Sequence, residues 1–294
     1  MALVCSVAAT VTAAVLAPAS AVAVTPAAGC KAVYFVGSRG SGEQLSDGVN
    51  GRVTKGDPLY GMGKPVQRVF TEWTKTLDGI DVGTMYNTYT AASADLLKPS
   101  PRLVNSVKRG SLNLDAATTY WYSGVRPFVS SVDLGRGVLI TLLTNKIRSC
   151  PNTKFVLAGY SQGAMSTHRA LKDLQGTKAG AAIIGVFLVA DGDRYNTDAH
   201  VYGTAPSDAW GVRTTLANML KTVKPRPADV VNTGIVAEIC DKNDIVCDFG
   251  VPALRNIGAA TKTHSAYADA GNQAIPTAVA DMRSRINSKI ATHR

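Results

Sequence analysis

One pentapeptide, Gly159-Tyr160-Ser161-Gln162-Gly163, narrows the folds open to this chain more than any other stretch. Lys154-Phe155-Val156-Leu157-Ala158 runs into it, a short apolar segment that reads as a buried strand. Ala164 to Leu174 runs out of it, a helix that ends near Gly176. Strand, Gly-x-Ser-x-Gly turn and helix together predict a nucleophile elbow. The sharp turn strains the serine backbone and lifts its Oγ clear of the sheet. Glycines on either side let strand and helix pass closely, and the N–H of Gln162 points to the same place as the Oγ. Outside that context the pattern is an ordinary βα turn.

The rest of the chain must therefore supply an α/β core. It has 294 residues, 46% of them hydrophobic and 18% charged, which is ample for a packed interior. The formal charge of +10 favours anionic surfaces, such as acidic wall polymers or lipid headgroups. No basic helix with interleaved aromatics occurs, so nucleic acid is discounted as a partner. Leu3 to Val24 is rich in Ala and Val and uncharged, and Ala19-Ser20-Ala21 and Ala21-Val22-Ala23 both fit a small-x-small cleavage site. No Lys or Arg accompanies it near Met1. Residues 1–24 are read as a secretory signal and 25–294 as a single exported domain, expected to be a monomer. A membrane anchor is the weaker reading, because Pro18 interrupts the Ala-rich run.

Export gives the cysteines meaning. Cys5 leaves with the signal, and Cys30, Cys150, Cys240 and Cys247 allow three pairings. Cys240 and Cys247 naturally close a small loop, which leaves Cys30 for Cys150. No Cys-x-x-Cys or Cys/His cluster has zinc spacing, so neither a metal nor a cofactor is expected.

In chain order, Lys31 to Val36 is a first strand that runs into a loop of small residues, Gly37 to Glu43. Such a loop can aim backbone N–H groups at a developing negative charge. Gly61-Met62-Gly63-Lys64 lacks the rest of a phosphate loop. Val66 to Leu77 has helical spacing, Val82 to Tyr89 reads as a strand, and Pro99-Ser100-Pro101 reads as a break. Tyr120, Trp121, Tyr122 and Phe128 are assigned to the core in preference to a pocket wall. Val129 to Arg148 is a long amphipathic helix, Ala181 to Ala190 a fully buried parallel strand and Asp229 to Asn232 a last short strand. Residues 42–62 and 191–228 look like insertions, the second with a short helix near Trp210 to Leu220. Phe249 to Thr263 reads as a loop, and His264 as the start of a final helix reaching about Ile290. Alternating strands and helices predict a three-layer α/β fold, with a mostly parallel central sheet of about five strands.

Ser161 needs a base, and the base needs an orienting acid. His168 lies seven residues along the same helix and points away from the elbow, His200 falls in the insertion, and His293 is in the tail. His264 is the base by elimination. The acid should precede it, and Glu238, Asp241, Asp244 and Asp248 qualify. Asp244 is preferred because a short disulfide-closed loop would hold it still; spacing alone leaves Asp241 and Asp248 open.

These features together resemble the cutinase family of serine esterases over most of residues 30–290. The carriers are Cys30, Arg39-Gly40-Ser41, Cys150-Pro151, Gly159 to Gly163, the Cys-x-x-x-Asp-x-x-Cys loop of Cys240, Asp244 and Cys247, and His264-Ser265-Ala266-Tyr267. The resemblance implies an α/β-hydrolase fold and disulfides Cys30–Cys150 and Cys240–Cys247. It also implies a Ser161–Asp244–His264 triad and an oxyanion hole from Ser41 and Gln162. The implied activity is hydrolysis of carboxylic esters without a cofactor, on cutin-type polyesters or short- to medium-chain acyl esters. A phospholipase or wall-lipid esterase is the second reading, and a non-catalytic surface-binding protein on a hydrolase scaffold the third.

Overall fold

A computed structural model describes residues 29–75, 77, 79–111, 113–195, 200–215 and 234–291. The proposed signal, His293 and the expected strand at Asp229 to Asn232 lie outside the described residues, as does much of the 191–228 insertion.

Six strands form one sheet: β1 (Val33–Ser38), β4 (Val82–Tyr86), β5 (Lys154–Tyr160), β6 (Ile183–Val189), β7 (Val201–Tyr202) and β8 (Val236–Ile239). Their order is β4-β1-β5-β6-β8-β7, and every pairing is parallel. The strand beyond the expected five is the edge piece β7, whose two residues pair with Glu238 and Ile239. A two-residue strand has too little pattern to be read from sequence. The remaining strands, β2 (Asp47–Gly48) and β3 (Gly51–Arg52), make a small hairpin in the first insertion.

Both faces of the sheet are buried, and side chains alternate between them as strand geometry requires. Val33, Phe35, Val156, Ala158, Phe187 and Val189 face one side, packing with α1 (Lys64–Thr74) and α9 (Ala274–Ala291) through Val69, Trp73, Val279 and Met282. Tyr34, Val36, Phe155, Leu157, Val186 and Leu188 face the other, against Leu139 and Leu143 of α4 (Arg126–Ser149) and Ala164 and Leu171 of α5 (Gln162–Asp173). Burying a Val, Leu or Phe of this kind contributes about 1.5–3 kcal/mol.

Pro99-Ser100-Pro101 is the expected break, with residues 98–100 irregular between a 3-10 turn at Ala94–Leu97 and the next helix, and it also starts that helix. Ser100 caps α2 (Pro101–Lys108) by accepting from Leu103 N, and Pro101 sits in the first turn, where its missing N–H costs nothing. Asn113 caps α3 (Leu114–Tyr120) in the same way. α3, a π-helical turn at Trp121–Val125 and α4 run on as one 36-residue helix. Pro127 accounts for the widened turn, because it cannot donate to the carbonyl four residues back. A short α6 (Lys178–Ala181) leads into β6.

Phe249 to Thr263, expected as a loop, forms α7 (Val251–Arg255) and α8 (Ile257–Ser265). Pro252 lies in the first turn of α7, and Asn256 separates the two and caps α8. The final helix, α9, begins at Ala274 and not at His264. Disulfides join Cys30 to Cys150 and Cys240 to Cys247.

Candidate active site

Ser161 stands between β5 and α5 with φ 53 and ψ −118, left-handed backbone on a residue that is not glycine. Such strain persists only where the surroundings enforce it. Here the Ser161 N–H donates to Val189 O at 2.8 Å, and β5 is locked between β1 and β6. Gly163 is obligatory for space, since a Cβ there would lie 2.1 Å from Ser38 O. The elbow is as expected, and its serine is buried at 3% exposure.

His264 approaches from the last turn of α8, not from a loop. Its Nε2 is 3.0 Å from Ser161 Oγ, and its Nδ1 is 3.1 and 3.0 Å from Asp244 Oδ1 and Oδ2. Asp244 is fully buried inside the Cys240–Cys247 loop. Its Oδ1 accepts N–H bonds from Val246 at 2.6 Å and Cys247 at 3.1 Å. Burial by itself would raise this carboxyl, but His264 and the two backbone donors outweigh it and hold Asp244 below the usual carboxylate range.

The other acids lie elsewhere. Asp241 accepts from Thr204 and Asn272, Asp248 accepts from Asn243 N, and Glu238 is buried within β8. His200 Nε2 lies beside Arg285 at 3.5 Å.

Two tyrosines that sequence reasoning did not single out complete the framework. Tyr160 stacks on the His264 ring and donates its hydroxyl to His264 O at 2.7 Å. Tyr267 donates to Asp244 Oδ2 at 2.9 Å and accepts from Asp241 N at 2.8 Å. Their only sequence signals were adjacency to Ser161 and the His-x-x-Tyr spacing.

Gln162 opens α5, and its side chain is tied down: Oε1 accepts from Ala92 N at 3.0 Å and Nε2 donates to Phe128 O at 3.3 Å. Ser41 lies in the loop after β1 and lines the same cleft as Ser161 and His264. Its hydroxyl is buried and has no partner among the described residues.

That cleft has a volume of about 230 Å³. Leu103, Val104 and Val107 of α2 with Ala117, Tyr120 and Trp121 form one wall; Ile245, Val246, Phe249, Leu254 and Ile257 form the other. α2 packs against α7 and so bridges the walls. The four aromatics assigned to the core divide. Phe128 and Tyr120 are buried in the core, Tyr120 also walling the cleft beside the partly buried Trp121, and Tyr122 is 60% exposed. Helical periodicity set one turn apart from the next by the π turn decides which ring faces which way.

His168, Asp191 and Glu238 form the one group of potential metal ligands among the described residues. Burial would lower His168, but the adjoining Asp191 carboxylate and the charges of Glu238 and Asp193 raise it to about 10. His168 and Asp191 are in direct contact through Nδ1 and Oδ2, an ion pair whenever the ring carries both protons.

A family model for Cutinase matches residues 90–282. A cutinase of Monilinia fructicola is 42% identical over 53 residues, 17% of this chain and 26% of that protein. A carboxylesterase Culp6 homolog of Corynebacterium glutamicum is 31% identical over 132 residues, 40% of this chain and 41% of that protein. The chain thus spans well under half the length of either curated relative. A cutinase-like protein from Cryptococcus sp. superposes with a TM-score of 0.53 at 18% identity, covering 90% of this chain and 98% of that one, a likeness of fold.

Proposed function

This chain belongs to the cutinase family, and from that membership we propose that it is a serine carboxylester hydrolase working through an acyl-enzyme on Ser161. The observation that carries this reading is the unbroken relay from Asp244 through His264 to Ser161 Oγ, with each gap at hydrogen-bond distance. His264 Nε2 takes the Ser161 proton as Oγ attacks the ester carbonyl. The N–H groups of Gln162 and Ser41 receive the charge on the carbonyl oxygen, each worth about 3–4 kcal/mol in the transition state. His264 then gives its proton to the departing alcohol. Water, activated by the same nitrogen, breaks the acyl-enzyme and restores the serine. Asp244, buried and anionic, fixes the tautomer and favours the imidazolium.

The apolar cleft fits the acyl part of short- to medium-chain esters or of a cutin-type polyester. The deciding experiment is turnover of p-nitrophenyl esters from two to sixteen carbons by wild type and Ser161→Ala. Serine-dependent turnover is expected, with the alanine variant folded and inactive; equal turnover by both would end this assignment.

A second reading, a phospholipase or wall-lipid esterase, is favoured by the charge around the cleft. The walling segments 93–126 and 240–265 carry Lys98, Arg102, Lys108, Arg109, Arg126, Lys242, Arg255 and Lys262 against Asp95, Asp115, Asp241, Asp244 and Asp248. Activity on anionic vesicles that falls steeply with salt, while soluble esters are unaffected, distinguishes it. The two disulfides fit an extracellular protein, consistent with residues 1–24 as a signal and 25–294 as the catalytic domain.

A further inference from the structure

The loop that carries Ser41 is held from two sides, and one of them is a carboxylate. On one side Gly40 lies against the Tyr160 ring, where a Cβ would come within 2.5 Å of Cδ1. On the other, Glu43 Oε2 accepts the Gly40 N–H at 2.8 Å and Oε1 accepts the Lys64 N–H at 2.7 Å. Lys64 opens α1, a helix whose cap residue, Gly63, makes no side-chain cap bond. Glu43 therefore supplies from a distant loop the anionic acceptor that a helix start favours. The fit is close, because a Cβ on Gly63 would lie 2.0 Å from Glu43 Oε2. Arg39 closes the turn by donating Nε to Glu43 O at 3.2 Å and Nη2 to Tyr89 O at 2.9 Å.

We propose that Glu43 is a positioning residue for the hydrolase read above: its carboxylate, clamped between the Gly40 and Lys64 N–H groups, fixes the Gly40–Ser41 turn so that the Ser41 N–H meets the oxyanion. The inference rests on that reading of the site. Glu43 touches neither substrate nor Ser161, and acts through the backbone of its own loop.

The clamp needs two acceptor oxygens, and protonation turns one of them into a donor facing an N–H. The charged and titratable groups around Glu43 are Arg39 on its own loop, Asp47 on the hairpin strand β2, Tyr89 beyond β4 and Tyr160 at the end of β5. Burial, helped by Asp47, outweighs the two N–H bonds and Arg39 and raises the carboxyl to about 7. The clamp is accordingly complete above neutrality and opens as pH falls through about 7. Stability has the opposite sign. A carboxyl raised from 4.5 to about 7 on folding makes the folded chain less stable as pH climbs through that interval.

The test compares wild type, Glu43→Gln and Ser161→Ala on one soluble short-chain ester from pH 6 to 9, with thermal melting alongside. Gln keeps the shape but sets an NH2 against an N–H. Glu43→Gln is expected to lower kcat about tenfold at pH 9 with KM little changed. The ratio should shrink towards one near pH 6, where wild type has lost its carboxylate too. The same variant should melt higher than wild type at pH 9 and equally at pH 4, below the interval in which the carboxyl titrates. Should Glu43→Gln not fold, Glu43→Asp, which keeps the charge but cannot span both N–H groups, is expected to give the same loss at pH 9. A kcat equal to wild type at every pH, or a loss that is constant between pH 6 and 9, overturns the proposal. Wild-type turnover no greater than that of Ser161→Ala overturns the hydrolase reading itself, and this inference with it.

Discussion

The Tyr160 ring lies over the His264 ring, with centroids 5.1 Å apart and planes 23° from parallel, while its hydroxyl donates to the His264 carbonyl at 2.7 Å. The strand that leads into Ser161 thus also holds His264, the proposed base, through the residue immediately before the serine. Tyr160→Phe keeps the stacking and removes one hydrogen bond worth about 1 kcal/mol, so kcat should fall about fivefold. Tyr160→Ala removes the ring as well, and a loss of about a hundredfold or more is expected, as His264 is left free to turn. Steady-state kinetics on a soluble ester check both.

Tyr267 acts on the acid. Its hydroxyl donates to Asp244 Oδ2 and is buried with it. A hydrogen bond to a buried carboxylate is worth about 1.5–3 kcal/mol, so Tyr267→Phe should lower kcat at least tenfold with KM little altered. Asp244 without this donor holds the His264 proton more tightly. The acid limb of kcat/KM should therefore move to higher pH, a shift that a purely structural loss would not produce.

Behind the elbow, the ion pair of His168 with Asp191 should govern alkaline stability. His168 is raised to about 10, so its contribution is complete below its ordinary value of 6.5 and is lost as pH rises through about 10. His168→Asn leaves Asp191 buried without its cation and should destabilise by about 3–5 kcal/mol at pH 7. Denaturant melts at pH 7 and pH 10.5 test this: the gap between variant and wild type should narrow at the higher pH.

The two disulfides should separate stability from catalysis. The Cys30–Cys150 bond spans 120 residues and by loop entropy contributes about 5 kcal/mol. The Cys240–Cys247 bond spans 7 and contributes about half of that, yet it encloses Asp244. The paired Cys30→Ser and Cys150→Ser change should lower the melting temperature while sparing kcat of the folded fraction. The paired Cys240→Ser and Cys247→Ser change should cost less stability and more kcat.

What could be read from the sequence was what is local. The elbow and its strand and helix are set by neighbouring residues, and the short Cys240–Cys247 loop favoured Asp244, although spacing alone left Asp241 and Asp248 open. Pro252 and Gly258 made α7 and α8 look like loop, because a proline that opens a helix and one that ends it are the same letter. Glu43, Tyr160 and Tyr267 escaped notice for another reason. Their partners lie up to 104 residues away, and nothing in a linear string records that a carboxylate caps a helix on another segment.

Ser161 precedes the proposed acid, Asp244, by 83 residues and the proposed base, His264, by 103, and β8, next to the Asp244 loop, is laid onto β6 from the far side. A chain made from its N-terminus therefore carries the serine before it carries the groups proposed to take its proton. Until α8 docks, the nucleophile is an ordinary alcohol, close to inert towards esters at neutral pH. Activity becomes a late event in the life of each molecule, reached only when the C-terminal quarter has closed.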